Sequence, residues 1–279
     1  MRDALLTFCL LVGAVSAPAQ VSQTPPETPV QTNTPIDSAL NPNLPTVFVV
    51  GDSTARNGAD LGWGDHLASL FDTQRINVAN RARAGRSSRT YITEGLWAKT
   101  LAEMKPGDFL LLQMGHNDGG DLGGAKPRGT LKGTGPETQD VAQTAGPNTG
   151  NTETVHTFGW YLRQIIEQAT AKGVHPILLT LTIRDIWTAG PDGTQHIERD
   201  MGYDKFIREV GNQEHVPVVD MGSLEADRLE ALGQTRAAAL FPVDHTHTSA
   251  AGATLNAEAV ADALRAAHLP LTAFLRPTP

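Results

Sequence analysis

Runs of β-branched and apolar residues recur along the chain, and most of them end at a turn residue or a polar cluster. Short runs of this kind are typical of buried strands. They lie at residues 47–50, 76–79, 109–114, 176–183 and 216–220. We predict a strand at each.

Helical patterns fall between these runs. From Phe158 to Ala169 the apolar residues are spaced three and four apart, which places them on one face of a helix that ends at Lys172-Gly173. Further helices are predicted at residues 97–104, 203–210, 224–232 and 248–268. Strands that alternate with helices imply an α/β fold, a three-layer α/β/α sandwich with a central parallel sheet.

The first 45 residues differ in composition from the rest. Residues 1–19 combine Arg2, a short apolar run and the small-residue sequence Ala17-Pro18-Ala19, which favours a signal peptide over a buried helix. Residues 20–45 hold six of the 18 prolines and are predicted to be a disordered linker. One folded domain, residues 46–279, would follow in a secreted or periplasmic protein.

Charge and cysteine content exclude several classes of protein. The net charge of −8 gives no electrostatic footprint for nucleic acid. The single cysteine, Cys9, rules out an intrachain disulfide and a cysteine-based zinc site. No later segment is apolar enough to span a bilayer, and we expect a monomer.

Residues 119–153 fit neither pattern. They contain nine of the 27 glycines and almost no apolar periodicity. We predict a long connection without secondary structure, which is either a functional loop or a tolerated surface insertion.

Three polar blocks follow predicted strands or precede the last helix. In Gly51-Asp52-Ser53-Thr54, Ser53 is placed either as a nucleophile at the carboxyl end of a strand or as a helix cap. In Gly115-His116-Asn117-Asp118, Asn117 is a candidate oxyanion donor or forms an Asx-turn. In Asp244-His245-Thr246-His247, the Asp and His suit a general base, although a metal site is the alternative.

These blocks together resemble the SGNH hydrolases, also called the GDSL family. The resemblance maps the nucleophile onto Ser53, oxyanion donors onto Gly85 and Asn117, and the acid–base pair onto Asp244 and His247. It implies an acetyl-enzyme on Ser53 and requires no metal or organic cofactor. The fold it implies is the flavodoxin-like α/β sandwich.

Further residues point to one branch of that family. Thr54 in the first block and the segments 80–90 and 156–161 look like rhamnogalacturonan acetylesterases, which remove acetyl groups from pectin. The two disulfides of the fungal members cannot form here, so the bacterial-type members are expected to be the closer analogues. An acetylated pectic polysaccharide would then be the substrate.

The arginine cluster and one tryptophan are candidates for binding that substrate. Arg86, alone or together with Arg89, is expected to contact uronate carboxylates, unless internal ion pairs occupy these arginines. Trp187 is a candidate wall of the site, with core packing as the alternative. The competing functions are a lipase or thioesterase of the same superfamily, an acetylxylan esterase and a non-catalytic carbohydrate-binding protein.

Overall fold

The computed structural model describes residues 39–58, 60–146 and 148–277. Its strands in chain order are β1 (Thr46–Val50), β2 (Asn77–Asn80), β3 (Phe109–Leu112), β4 (Thr138–Ala142), β5 (Thr152–His156), β6 (His175–Leu179), β7 (Trp187–Ala189), β8 (Gln195–Ile197) and β9 (Val218–Val219). Its α-helices are α1 (Trp63–His66), α2 (Ser88–Thr93), α3 (Leu96–Glu103), α4 (Phe158–Ala171), α5 (Asp204–Glu214), α6 (Met221–Leu232), α7 (Gln234–Ala238) and α8 (Ala250–Ala266).

Five of the strands form one parallel sheet in the order β2-β1-β3-β6-β9. Counted within the sheet this is the 2-1-3-4-5 order of flavodoxin-like folds. The strand order reverses between β1 and β3, and the carboxyl ends of these two strands therefore border a crevice in which such folds bind ligands. The predicted α/β fold with a central parallel sheet is confirmed.

The sheet is buried on both faces because neighbouring strand residues point to opposite sides. Phe48 and Val50 of β1 pack in one apolar layer with residues of α3, α4 and α5. Val47 and Val49 pack in the other layer with residues of α1 and α8. This double burial explains why β1 is apolar at every position except its first.

The strand predicted at 176–183 ends earlier, at Leu179. The neighbouring strand β9 has only two residues, so β6 has no strand to pair with on that side after Leu179. Side chains replace the missing strand: the N–H of Leu181 donates to Asp204 Oδ1 (2.8 Å) and that of Ile183 to Glu225 Oε2 (2.9 Å).

The prediction that residues 119–153 lack secondary structure was wrong. β4 lies inside this segment and pairs with β5 in an antiparallel hairpin. Most β4 positions are exposed, which is why the strand shows no apolar alternation in the sequence. We call residues 119–153 the insertion.

The predicted signal peptide, residues 1–19, lies outside the described residues, as does most of the predicted linker. The last part of that linker contacts the domain. Leu40 packs against the core, and Lys105 Nζ donates to the carbonyl oxygens of Pro42 and Leu44 (2.6 Å each). The folded part of the chain therefore begins before Thr46. None of the described helices is long and apolar enough to cross a membrane.

One buried carboxyl group joins three segments of the fold. Glu225 of α6 is fully buried, its Oε2 accepts a hydrogen bond from the N–H of Ile183 (2.9 Å), and the side chain of Asn256 on α8 lies beside the carboxyl. Burial raises the pKa of Glu225 to about 8, although Ile183, Asn256 and the charge of Arg228 act to lower it.

The carboxyl of Glu225 makes the stability of the fold depend on pH. Between about pH 4.5 and 8 the folded state holds this proton and the unfolded state does not, so the free energy of unfolding falls as the pH rises. We expect Glu225→Gln to reduce this fall by more than about 1 kcal/mol, since one pKa unit corresponds to about 1.4 kcal/mol. Urea unfolding at pH 5 and pH 8 measures it. The control is Glu167→Gln, a substitution at an exposed position. If the free energy of unfolding falls equally between pH 5 and pH 8 in both variants, Glu225 is not the group responsible.

Candidate active site

Ser53 lies in the turn that follows β1. The buried side chain of Asp52 shapes this turn, because its Oδ1 accepts hydrogen bonds from both the N–H and the hydroxyl of Thr54 (2.9 Å each). Gly51 precedes it, where a Cβ would fall 2.9 Å from that of Ala55. The turn is therefore held from within, while Ser53 stays accessible at the edge of the sheet.

Gln113 holds this turn against the neighbouring strands. It follows β3 and is fully buried. Its side-chain carbonyl accepts a hydrogen bond from Trp63 Nε1 (2.9 Å), and its NH₂ group donates to the carbonyl oxygen of Thr180 (3.1 Å). The same carbonyl oxygen lies 3.0 Å from Thr54 Oγ1, whose single hydrogen is shared between Gln113 and Asp52. One amide thus joins the segments after β1, β3 and β6. A polar residue inside an apolar run was the sequence signal that could have revealed it.

The structure brings Ser53, His247 and Asp244 into one hydrogen-bonded chain. The Ser53 Oγ lies 2.9 Å from His247 Nε2, and His247 Nδ1 lies 2.7 Å from Asp244 Oδ2. Both ring nitrogens of His247 are therefore engaged within the protein. No group of three or more His, Cys, Asp or Glu side chains among the described residues could hold a metal ion.

Asp244 is built to remain ionised. Partial burial opposes its charge, but hydrogen bonds from the His247 side chain and from the N–H groups of His247 and Thr246 outweigh that effect and lower the pKa of Asp244 to about 2. Its Oδ1 accepts from both N–H groups, at 2.7 and 2.8 Å. An ionised Asp244 keeps the proton of His247 on Nδ1, which leaves Nε2 free to accept one from Ser53.

Gly85 and Asn117 both lie beside Ser53 in the same cleft. Gly85 has a φ of +78°, a conformation that side chains rarely adopt, and a Cβ there would meet nothing nearer than Arg128 Nη1 at 4.0 Å. The backbone conformation, rather than lack of space, requires glycine here. Asn117 Nδ2 donates to the carbonyl oxygen of Arg86 (2.9 Å), which fixes the orientation of its amide.

Two backbone N–H groups at the cleft are free to bind a ligand. Within the described residues, neither the N–H of Ser53 nor that of Gly85 donates a hydrogen bond to the protein. Free N–H groups of this kind can stabilise negative charge on a substrate oxygen.

The block around Asn117 contains two further residues with structural contacts. His116 Nε2 lies 2.8 Å from Thr182 Oγ1, and burial lowers the pKa of His116 to about 4, so this ring is neutral near pH 7. Asp118 accepts hydrogen bonds from the N–H and hydroxyl of Ser88 at the start of α2. Burial raises the pKa of Asp118 to about 7, although these bonds lower it. Sequence reasoning missed the role of Asp118.

The accessible space at Ser53 is a cleft of about 500 Å³, which we call the Ser53 cleft. Its lining joins the proposed site residues to an apolar side and to one cation. The lining residues are Ser53, Asn57, Leu61, Ala84, Gly85, Asn117, Arg128, Pro242, Val243, His247, Thr248, Ser249 and Ala250.

Arg86 and Arg89, which were predicted to contact substrate, are both engaged in ion pairs within the protein. Arg86 forms an ion pair with Glu94 (2.8 Å) at the rim of a neighbouring pocket. Arg89 is only 1% exposed and lies inside the fold, so a direct contact with a polymer is excluded for it. Internal pairing, the alternative stated above, describes both residues.

Arg89 instead organises the insertion. Its guanidinium binds both carboxylate oxygens of Glu153 (2.7 and 2.8 Å) and donates to the carbonyl oxygens of Leu122 (2.8 Å) and Gly129 (2.9 Å) and to Gln143 Oε1 (3.2 Å). Every donor of a buried group is thereby satisfied. A segment with little apolar content is held in place by one cation from α2.

Trp187 lies in β7, outside the lining of the Ser53 cleft. Its Nε1 donates to Asp185 Oδ1 (2.7 Å), and the ring packs against a small apolar cluster that includes Ile183 and Ile197. The structure therefore gives Trp187 a packing role.

Comparison with known proteins places this geometry in a family. Residues 49–255 match the GDSL-like Lipase/Acylhydrolase family. The chain is 32% identical over 214 residues to a rhamnogalacturonan acetylesterase of Emericella nidulans, covering 77% of this chain and 82% of that one. It is 29% identical to a probable rhamnogalacturonan acetylesterase, YesY, of Bacillus subtilis, covering 81% and 95%.

A solved structure has the same fold. The crystal structure of the Bacillus subtilis protein YxiM superposes with a TM-score of 0.63 at 23% identity, covering 81% of this chain and 58% of that one. The chain thus spans somewhat more than half the length of that relative.

The chain therefore belongs to the GDSL-like Lipase/Acylhydrolase family and is a carboxylic ester hydrolase. This confirms the resemblance seen in the sequence blocks. The expectation that bacterial members would be closer analogues was wrong, because the fungal relative is 32% identical and the bacterial ones 29% and 28%.

The buried ion pair of Arg89 predicts a large effect of substitution. Arg89→Met leaves Glu153 and two carbonyl oxygens of the insertion without their partner, and removing one side of a buried pair typically costs about 3–5 kcal/mol. We expect faster proteolytic cleavage within residues 119–153 and a lower urea midpoint.

Arg86→Met is the matched control. It breaks a partly exposed pair on the same side of the site, where the Arg86 side chain is 34% exposed. Such pairs are worth about 0–1 kcal/mol, so its urea midpoint stays near that of the wild type. Equal losses in the two variants would contradict a special role for Arg89.

Proposed function

We propose that this chain is a secreted serine esterase that removes acetyl groups from a pectic polysaccharide through an acetyl-enzyme on Ser53. The observation that carries the proposal is the hydrogen-bonded chain from Ser53 through His247 to Asp244, beside two free backbone N–H groups. The substrate class is supported by the relatives, three of which are named rhamnogalacturonan acetylesterases.

In the first step Ser53 Oγ forms a bond to the acetyl carbonyl carbon and passes its proton to His247 Nε2. A serine hydroxyl is too weak an acid to attack unaided, and the 2.9 Å contact supplies the base it needs. Asp244, ionised because of its low pKa, then stabilises the positive charge on the ring of His247.

The carbonyl oxygen becomes negative in this step. We assign its stabilisation to the N–H groups of Ser53 and Gly85 and to the side-chain amide of Asn117. Asn117 Nδ2 has two hydrogens and uses one of them on Arg86, so the other can point to the substrate. Donors that are fixed before the reaction stabilise this charge without having to reorganise.

The intermediate then collapses, and the bond between the acetyl carbon and the sugar oxygen breaks. That oxygen takes the proton from His247 Nε2 and leaves as a free hydroxyl. A water molecule next gives a proton to His247 and attacks the acetyl-enzyme, which releases acetate and restores the Ser53 hydroxyl when the proton returns. The residues that carry these steps need no metal or organic cofactor.

Export is part of the proposal. Residues 1–19 have the composition of a signal peptide and the substrate is a large extracellular polymer, so we place the enzyme outside the cytoplasm, secreted or periplasmic. We propose that it acts as a monomer.

Acetate release tests the nucleophile and the substrate together. We expect wild-type protein to release acetate faster from acetylated rhamnogalacturonan than from acetylated homogalacturonan or xylan. Ser53→Ala should lower kcat by about 10⁴-fold or more, since no other group can form the acetyl-enzyme. Ser69→Ala removes the same atom outside the Ser53 cleft and serves as the control.

Two results would count against this proposal. Acetate release by Ser53→Ala at the wild-type rate would exclude Ser53 as the nucleophile. A rate that increases from acetyl to octanoyl esters would show that the enzyme is a lipase or thioesterase instead.

The oxyanion assignment predicts a kinetic signature for Asn117. We expect Asn117→Ala to lower kcat by about 10²–10³-fold, because its amide acts mainly on charge that develops in the transition state. KM should change little. Steady-state kinetics on p-nitrophenyl acetate measure both, with circular dichroism as the check on folding, and a change confined to KM would assign Asn117 to substrate binding.

A further inference from the structure

A second pocket opens beside the Ser53 cleft. It has a volume of about 370 Å³, lies between α2 and the insertion, and shares Gly85 and Arg128 with the lining of the Ser53 cleft. Because the two spaces adjoin, one ligand with its ester at Ser53 could place another group in this second pocket. We call the second pocket the Arg128 pocket.

The Arg128 pocket is lined by four cations, and two of them are neutralised. Arg86 pairs with Glu94 and Arg89 with Glu153, and both carboxylates also line the pocket. These pairs stabilise the walls and leave no free charge for a ligand.

The other two cations, Lys126 and Arg128, form no ion pair among the described residues, and the charge of Arg128 acts on the Asp118 carboxyl without direct contact. Arg128 makes one long contact, from Nη1 to the carbonyl oxygen of Gly85 at 3.4 Å. Lys126 is exposed and Arg128 is half-buried. Two positive charges without an ion-pair partner among the described residues thus line one concave site in a protein whose net charge is −8.

Hydrogen bonds fix the backbone at Arg128. The N–H groups of Arg128 and Gly129 both donate to the carbonyl oxygen of Asp121 (2.9 and 2.8 Å), and the carbonyl of Gly129 accepts from Arg89 (2.9 Å). A Cβ at Gly129 would fall 2.0 Å from the carbonyl oxygen of Gly120, so only glycine allows this packing. A backbone that is fixed at Arg128 lowers the ordering cost of binding an anion there.

We propose that Lys126 and Arg128 form a carboxylate subsite, which binds a uronate of the polysaccharide near the sugar whose acetyl group reaches Ser53. This inference rests on the proposed function. A guanidinium and an ammonium together match the charge and the donor requirements of a carboxylate. Lys126 and Arg128 thereby take the role that the sequence suggested for Arg86 and Arg89.

Binding tests the subsite separately from catalysis. In a Ser53→Ala background, calorimetry compares a deacetylated rhamnogalacturonan oligosaccharide with its methyl-esterified form, in which every carboxylate is neutral. We expect the acidic form to bind more tightly. Adding Lys126→Gln or Arg128→Gln should each raise its Kd by about tenfold, since a hydrogen bond to a charged group is worth about 1.5–3 kcal/mol.

Two variants serve as controls. Lys132→Gln removes the same charge from the insertion but lies outside the lining of the pocket, so it should leave Kd unchanged. Arg128→Lys keeps the charge and should restore most of the affinity lost in Arg128→Gln.

The outcomes separate the two proposals. Equal affinity for the acidic and methyl-esterified forms, or unchanged Kd in the Lys126→Gln and Arg128→Gln variants, would overturn the subsite. If wild-type protein releases no acetate from any acetylated pectin, the proposed function fails, whatever the calorimetry shows.

Discussion

The side-chain amide of Gln113 is the interaction on which the site depends. The edge of a parallel sheet offers several loops but does not itself align them, and here one buried amide connects the segments that follow β1, β3 and β6. Because both ends of the amide are occupied, it accepts a single orientation. The position of the turn that carries Ser53 is therefore fixed by contacts in the core, and the accessible side chains of the site add to a turn that is already in place.

A second theme is how the fold treats buried charge. Arg89 is satisfied by a carboxylate, an amide and two carbonyl oxygens, whereas burial makes the carboxyl groups of Asp118 and Glu225 harder to ionise. Asp244 has the opposite environment, with donors around it and a pKa lowered to about 2. The surroundings of a carboxyl group thus decide whether its pKa is raised, which favours the protonated form, or lowered, which favours the carboxylate.

The sequence predicted the central sheet well because buried parallel strands are continuous apolar runs. Ser53, Asn117, Asp244 and His247 could be singled out in the sequence because each lies in a short polar block that follows a predicted strand or precedes the last helix, and they remain the proposed catalytic residues. The β4–β5 hairpin was missed because its exposed strands have no apolar alternation. The partners of Arg86 and Arg89, which are Glu94 and Glu153, could not be identified from their spacing in the sequence. Lys126 and Arg128 gain their meaning only from the pocket that the fold creates around them.

The contact between Ser53 and His247 joins residues 194 positions apart. Closing a loop of this length carries an entropic cost, which the packing of the sheet and of α8 offsets in the folded protein. A chain emerging from the ribosome would present Ser53 long before His247, its hydrogen-bond partner, has been made. In the proposed mechanism ester hydrolysis is consequently a late property of this molecule, and its appearance during refolding would report that the last helix has reached the first strand.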